Sequence, residues 1–295
     1  MKPSRLFELC LSSYEKLYMY MDYKFVPEFY VEKCKIEEKE LGIWDILGQF
    51  RTTPKSHILI CRREIRDFTD NLVNKRKVKT LDSLGISVPE QKFIINSIVT
   101  ELVRVHEHCH AILHEARVKK HIALHVLKKL KPSIDKDLSP IFIDKWDEQI
   151  IINKSKTRAG IAELLFAMKY YWIPRELSSP LPPIVEEPIV ELMSRLLICR
   201  IYEGNSVVNE IFRLLDEESP YYYREWRRIL QELGLNENTL WSSKEYLSFL
   251  IPCMILVARL KKWRSLDDYV NRLKEMCSCD EFKKVHSAIM ESSDY

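Results

Sequence analysis

An α+β chain, mainly α, with a small mixed sheet and an extended helical C-terminal part is what this sequence predicts, on three observations. Most segments space their apolar residues at helical period. Only a few short stretches, above all Ser56–Cys61, have the β-branched, apolar character of strands. Beyond residue 205 only amphipathic helical patterns follow one another, with no internal repeat of fixed period.

In chain order, residues 4–22 alternate apolar and charged positions with helical period, through Leu6, Leu9, Leu11, Tyr14, Leu17 and Tyr18, and predict a first amphipathic helix. Tyr23–Val31 is aromatic and β-branched with Pro27 inside it, an irregular strand or extended segment. Gly42–Phe50 is a short apolar piece bracketed by glycines, and Thr52–Lys55 is a break. Ser56–Cys61 is the clearest strand, followed at once by a helix over 63–72. Ser87, Pro89 and Glu90 have the marks of a helix start, and the helix they open runs to about Ala116. A further helix over 121–130 ends at Pro132, and 133–157 is polar apart from Pro140–Ile143 and Gln149–Ile152, which suit short strands or buried anchors. Ala159–Trp172 is helical, and Ser178–Pro183 is an extended connector. The C-terminal helices fall at about 205–217, 221–234, 243–262, 265–278 and 280–291.

Composition excludes several classes. With 295 residues and 46% apolar content, the chain buries a sizeable core. The 46 basic and 43 acidic residues nearly balance, so no nucleic acid and no anionic membrane is expected as partner. The N-terminal stretch lacks the unbroken apolar core of a signal peptide, and the apolar run Tyr246–Leu260 falls short of the ~20 residues a membrane span needs. The eight cysteines show no Cys-x-x-Cys spacing, which suggests small buried hydrophobes in a reducing, cytoplasmic setting. Cys277 and Cys279 form the one close pair.

The chemistry concentrates between Glu101 and His125, which hold six of the eight histidines. His106, Glu107 and His110 form the pattern His-Glu-x-x-His, and Ile98, Leu102, Val105, Cys109, Ile112 and Leu113 keep a helical apolar rhythm around it. Residues four apart on a helix stand one turn above each other, with Cβ atoms about 5–6 Å apart, so the two imidazoles can share one metal ion. Glu107, turned about 100° around the axis, is better placed to meet a water than to ligate the metal. His108 points away from the His106/His110 face; His114, His121 and His125 either continue that face or lie on a solvated surface.

After the connector comes Glu186-Glu187-Pro188-Ile189-Val190-Glu191. With His106, Glu107 and His110, this resembles the gluzincin group of zinc metallopeptidases, the thermolysin-like zincins. The resemblance implies a zincin-like core and one Zn2+ held by His106, His110 and Glu187, with Glu191 supporting a ligand histidine from behind. It makes Glu107 the general base of peptide hydrolysis and Pro188 a first-turn residue of the ligand-bearing helix. Two imidazoles and one carboxylate leave zinc a fourth position for water, whose pKa falls to about 7 in such sites. Glu163, Glu186 and Glu191 compete with Glu187 as third ligand. In zincins an edge strand binds the extended substrate, and the strand near Ile58 is either that edge or simply part of a small sheet. Tyr170, Tyr171, Tyr202 and Tyr221–Tyr223 are available as oxyanion donors, with no motif selecting among them.

The resemblance covers chiefly 56–116 and 184–200. It implies a metallopeptidase domain over 1–204 with an insertion at about 117–183, and a helical region over 205–295 packing on it. The expected partner is a peptide or protein substrate, and the oligomeric state is not legible. Two other readings stand beside it: a catalytically weak or inactive peptidase-like protein with interaction or regulatory duties, and a di-iron helical protein, which needs a second Glu-x-x-His that the chain lacks.

Overall fold

The computed structural model of the chain describes residues 21–23, 26–34, 47–119, 170–171, 181–199, 204–235, 250–260 and 263–276. In chain order these form strands β1 (Met21–Asp22), β2 (Glu28–Val31), β3 (Gly48–Arg51) and β4 (His57–Cys61), then helices α1 (Arg62–Asn74), α2 (Lys79–Ser83) and α3 (Val88–Glu115). Strands β5 (Arg117–Lys119) and β6 (Tyr170–Tyr171) follow. Next come helix α4 (Pro183–Cys199), helix α5 (Ser206–Glu218) and a 3-10 turn (Tyr221–Glu225), then α6 (Trp226–Glu232), α7 (Leu250–Leu260) and α8 (Leu266–Met276). The protein is α+β and mainly α, with a small mixed sheet.

Helix α3 is the element the others pack around. Its start is set by a capping box: Glu90 Oε2 accepts from the Ser87 amide at 3.3 Å and from Ser87 Oγ at 2.6 Å, with Pro89 in the first turn. Its first half is one-sided, but every residue from Glu101 to Leu113 is buried. A helix buried all round while carrying Glu101, Arg104, His106, Glu107, His108 and His110 must pair those groups internally, because burying an unpaired polar group is costly. Neighbours come from α1, β3, β4, α4 and α5.

The mixed sheet has the order β2-β4-β3, with β2 parallel and β3 antiparallel to β4. Ile58 and Ile60 of β4 are fully buried. A second sheet, β1-β5-β6, is antiparallel. Helix α4 packs on α3 and also on the 3-10 turn, α6 and α8, so the helices after residue 204 reach the same core. Among the described residues no helix is long and apolar enough to cross a membrane.

Several expectations are corrected. The strand Ser56–Cys61 is not an edge: β2 and β3 occupy both of its sides, so its backbone groups are already engaged. The edges are β2 and, from the glycine-bracketed piece ending at Phe50, β3. Helix α4 begins at Pro183, so Pro188 lies inside it rather than in its first turn, and costs the helix one i→i−4 hydrogen bond. Met21–Asp22 and Tyr170–Tyr171, expected at the ends of helices, are short strands. The helix expected from residue 221 opens as a 3-10 turn. Cys34 and Cys61 form a disulfide, Cα atoms 5.5 Å apart, against the reducing setting that the cysteine spacing suggests. The parallel register Val31↔Cys61 brings Cys34 back beside β4, a pairing that no local spacing announces. The rest of the helices expected over 4–22 and 159–172, the helices expected at 121–130 and 280–291, the stretches 140–143 and 149–152, and Glu163, His121, His125, Tyr202, Cys277 and Cys279 lie outside the described residues.

Candidate metal centre

One turn of α3 separates His106 from His110, and their rings meet edge to face with centroids 5.1 Å apart. Glu187, from α4, completes a buried group of three whose candidate ligand atoms all lie within 4.8 Å of one another. Glu187 Oε2 is 3.3 Å from His106 Nε2 and 3.4 Å from His110 Nε2, yet it has no properly directed hydrogen-bond partner.

The other nitrogen of each ring is held by a different carboxylate. His106 Nδ1 lies 3.2 Å from Glu191 Oε2, and His110 Nδ1 lies 2.7 Å from Glu186 Oε1. A carboxylate accepts only, so in the neutral ring each Nδ1 carries the proton and each Nε2 turns its lone pair toward Glu187. Both rings therefore adopt the same tautomer. His114 extends the histidine face by one more turn, with Nε2 3.0 Å from the same Glu186 Oε1 and its ring stacked on Phe50 of β3.

Charge follows geometry. Burial disfavours ionised carboxyls, but His110 and His106 hold Glu187 well below the usual carboxylate range. Against the same burial, His110 and His114 draw Glu186 down to about 2. Glu191 is likewise lowered, by Arg195 and His106 acting against burial. Conversely, burial works against a charged His106, yet the neighbouring Glu187 and Glu191 carboxylates push it up to about 9; Glu187 and Glu186 raise His110 as well. The carboxylates thus demand positive charge at the two Nε2 atoms. Two protons can supply it, and so can one divalent cation. Two imidazole nitrogens and the orphaned, buried Oε2 of one carboxylate are a donor set that fits such an ion.

Glu107 is buried on the β3 side of α3. A Cβ added to Gly48 would fall 2.6 Å from Val103 Cγ1, and 2.9 and 3.0 Å from Cγ and Oε1 of Glu107. Only a glycine lets β3 lie this close to the helix. Of the tyrosines in view, Tyr223 is fully buried with its ring stacked against His106 at 6.2 Å, while Tyr221 is exposed.

The structure thus brings together His106, His110, Glu187 and Glu191, and puts Glu186 behind His110 rather than beside the other Nε2. His108 turns to the opposite side, where Nε2 meets Glu28 Oε1 at 2.7 Å and Nδ1 meets the Tyr23 hydroxyl at 2.8 Å. Sequence reasoning missed Gly48, the Glu186–His114 contact and Arg195. Arg195 carried a signal, standing four residues after Glu191, the spacing of a helical ion pair.

Comparison of the chain with protein-family models, curated proteins and solved structures gave no match.

Proposed function

We propose that the protein is a zinc-dependent peptidase of gluzincin type, with His106, His110 and Glu187 as metal ligands and Glu107 as general base. The observation that carries this reading is the convergence of both Nε2 atoms on Glu187 Oε2, with each Nδ1 backed by its own carboxylate. When bound, zinc would act as a Lewis acid toward a carbonyl oxygen and a water.

The chain's own residues account for the remaining work. Glu107 takes a proton from the attacking water and delivers it to the leaving amine, the shuttle a carboxylate beside the ligands can perform. Glu191 and Glu186 keep the two rings oriented. Strand β3 has no partner on its outer side among the described residues, and it passes directly over Glu107. An extended peptide pairing with that edge would gain main-chain hydrogen bonds without demanding particular side chains. This role moves from the strand at Ile58, whose edges are both taken, to β3.

The test is metal analysis of protein purified without added metal, followed by hydrolysis of an unstructured polypeptide. One zinc per chain is expected, with Glu107→Gln keeping the zinc and losing hydrolysis. Retained turnover in that variant, or iron held in place of zinc, would defeat the reading, since two imidazoles and a carboxylate also suit non-haem iron.

A further inference from the structure

Behind Glu191 stands a chain of alternating charges that the ligand set does not require. Glu191 is fully buried. Its Oε2 faces His106 Nδ1, while its Oε1 accepts from Arg195 Nε at 3.0 Å and Nη2 at 2.7 Å. Arg195 Nη2 also reaches Asp216 Oδ1 at 2.7 Å, and Asp216 Oδ2 accepts from Arg227 Nη2 at 2.8 Å. The Arg195 guanidinium lies 4.5 Å from the Phe212 ring and 4.3 Å from the Trp226 ring, and Arg227 covers Trp226 as well, at 4.6 Å. Four charges from three helices, α4, α5 and α6, thus run from the back of a histidine to the half-exposed Arg227.

Stability alone is a poor account of this arrangement, because well-packed apolar residues of similar volume usually serve a core as well as buried ion pairs do. Apolar residues cannot aim an oxygen. A buried carboxylate bonded only through Oε2 could still rotate, and rotation would take that oxygen off Nδ1. Arg195 on Oε1 stops the rotation. Arg195 is itself a long side chain, and the Phe212 and Trp226 faces with Asp216 hold its planar fork in place.

We propose that Arg195 and Asp216 are positioning residues of the metal centre, which set the His106 ring through Glu191 and make metal retention depend on helices α5 and α6. This rests on the reading of His106, His110 and Glu187 as ligands. Neither residue touches the ion; both act through the orientation of Nε2.

The test uses the full chain and two readouts: zinc affinity by competition with a chromophoric chelator, and the visible absorption of the cobalt(II)-substituted protein, which reports ligand geometry. Asp216→Asn keeps the shape and removes the charge that anchors Arg195. It should weaken zinc binding about tenfold, as loss of an outer-sphere partner typically does, and shift the cobalt bands. Arg227→Gln, at a half-exposed position one link further out, should have the same effects to a smaller extent than Asp216→Asn. Val208→Ala, a core truncation in α5 outside the charge chain, should lower the melting temperature and leave both readouts unchanged. Folded Asp216→Asn with wild-type affinity and spectrum would overturn the proposal, as would Val208→Ala weakening zinc equally. If Asp216→Asn does not fold, Arg227→Gln decides by the same criterion. A wild-type chain that takes up neither zinc nor cobalt would instead overturn the metal-centre reading beneath it.

Discussion

Glu186 Oε1 lies 2.7 Å from Nδ1 of His110, while its neighbour Glu187 directs Oε2 to within 3.4 Å of Nε2 on the same ring. Two consecutive carboxylates thus address opposite sides of one imidazole, one fixing its tautomer and the other completing the candidate ligand set. Their removal should have different consequences. Glu187→Ala should abolish stoichiometric zinc retention, whereas Glu186→Gln, which keeps an acceptor for Nδ1, should weaken affinity about tenfold. Zinc titrations of the two variants check the order, and the reverse order would make Glu186 the ligand.

Gly48 governs the approach of β3 to Glu107. Gly48→Ala places a methyl group at 2.6 Å from Val103 Cγ1, too close for either to remain where it is. The expected outcome is a loss of about 1–3 kcal/mol in stability, the usual cost of overpacking. On the proposed peptidase reading, hydrolysis should fall with zinc content unchanged, because the displaced groups are β3 and Glu107 rather than the candidate ligands His106, His110 and Glu187. Denaturant melts beside metal analysis measure both.

On the far side of α3, Glu28 joins β2 to the helix. Its carboxylate accepts from Arg104 Nη2 at 2.8 Å and Nε at 3.0 Å and meets His108 Nε2 at 2.7 Å. Burial opposes its ionisation, but the hydrogen bonds from His108 and Arg104 hold its pKa down at about 2, against an ordinary 4.5. A pKa depressed on folding contributes stability that is complete above the unfolded value and disappears as pH falls through the folded one. Glu28→Gln should therefore cost about 2 kcal/mol at neutral pH. The difference from the wild type should shrink below pH 4.5 and vanish near pH 2. Denaturation curves across that range check it, and a difference independent of pH would show that the ionised pair is not the cause.

The Cys34–Cys61 disulfide closes a loop across a sequence separation of 27 and joins the end of β2 to the end of β4. Its reduction, or Cys34→Ser, should lower stability by about 3 kcal/mol through the freedom returned to the unfolded chain. Thermal melts with and without a thiol reductant measure this. Equal melting temperatures would show that the bond adds nothing to the folded state.

What was legible in the sequence is what depends on neighbours along the chain. The start of α3 at Ser87–Glu90 and the common face of His106 and His110 follow from helical period, and so does the turning away of His108. Strand β3 was harder, because four residues around a glycine carry little periodic signal and its close packing is read only from Val103 and Glu107. The extension of α4 back to Pro183 was missed because Pro188 mimics a helix start.

Composition and local spacing determined by themselves that this chain is mainly helical and that one helix carries two histidines able to act together. Only the tertiary structure decided which carboxylate meets which ring nitrogen, that β4 is interior with β2 and β3 at the edges, and that Arg195 and Asp216 stand behind Glu191. The physical reason is that Glu186, Glu187 and Glu191 sit on a different helix from the histidines. The packing rotation of α4 against α3 selects their contacts, and no periodicity within either helix encodes that rotation.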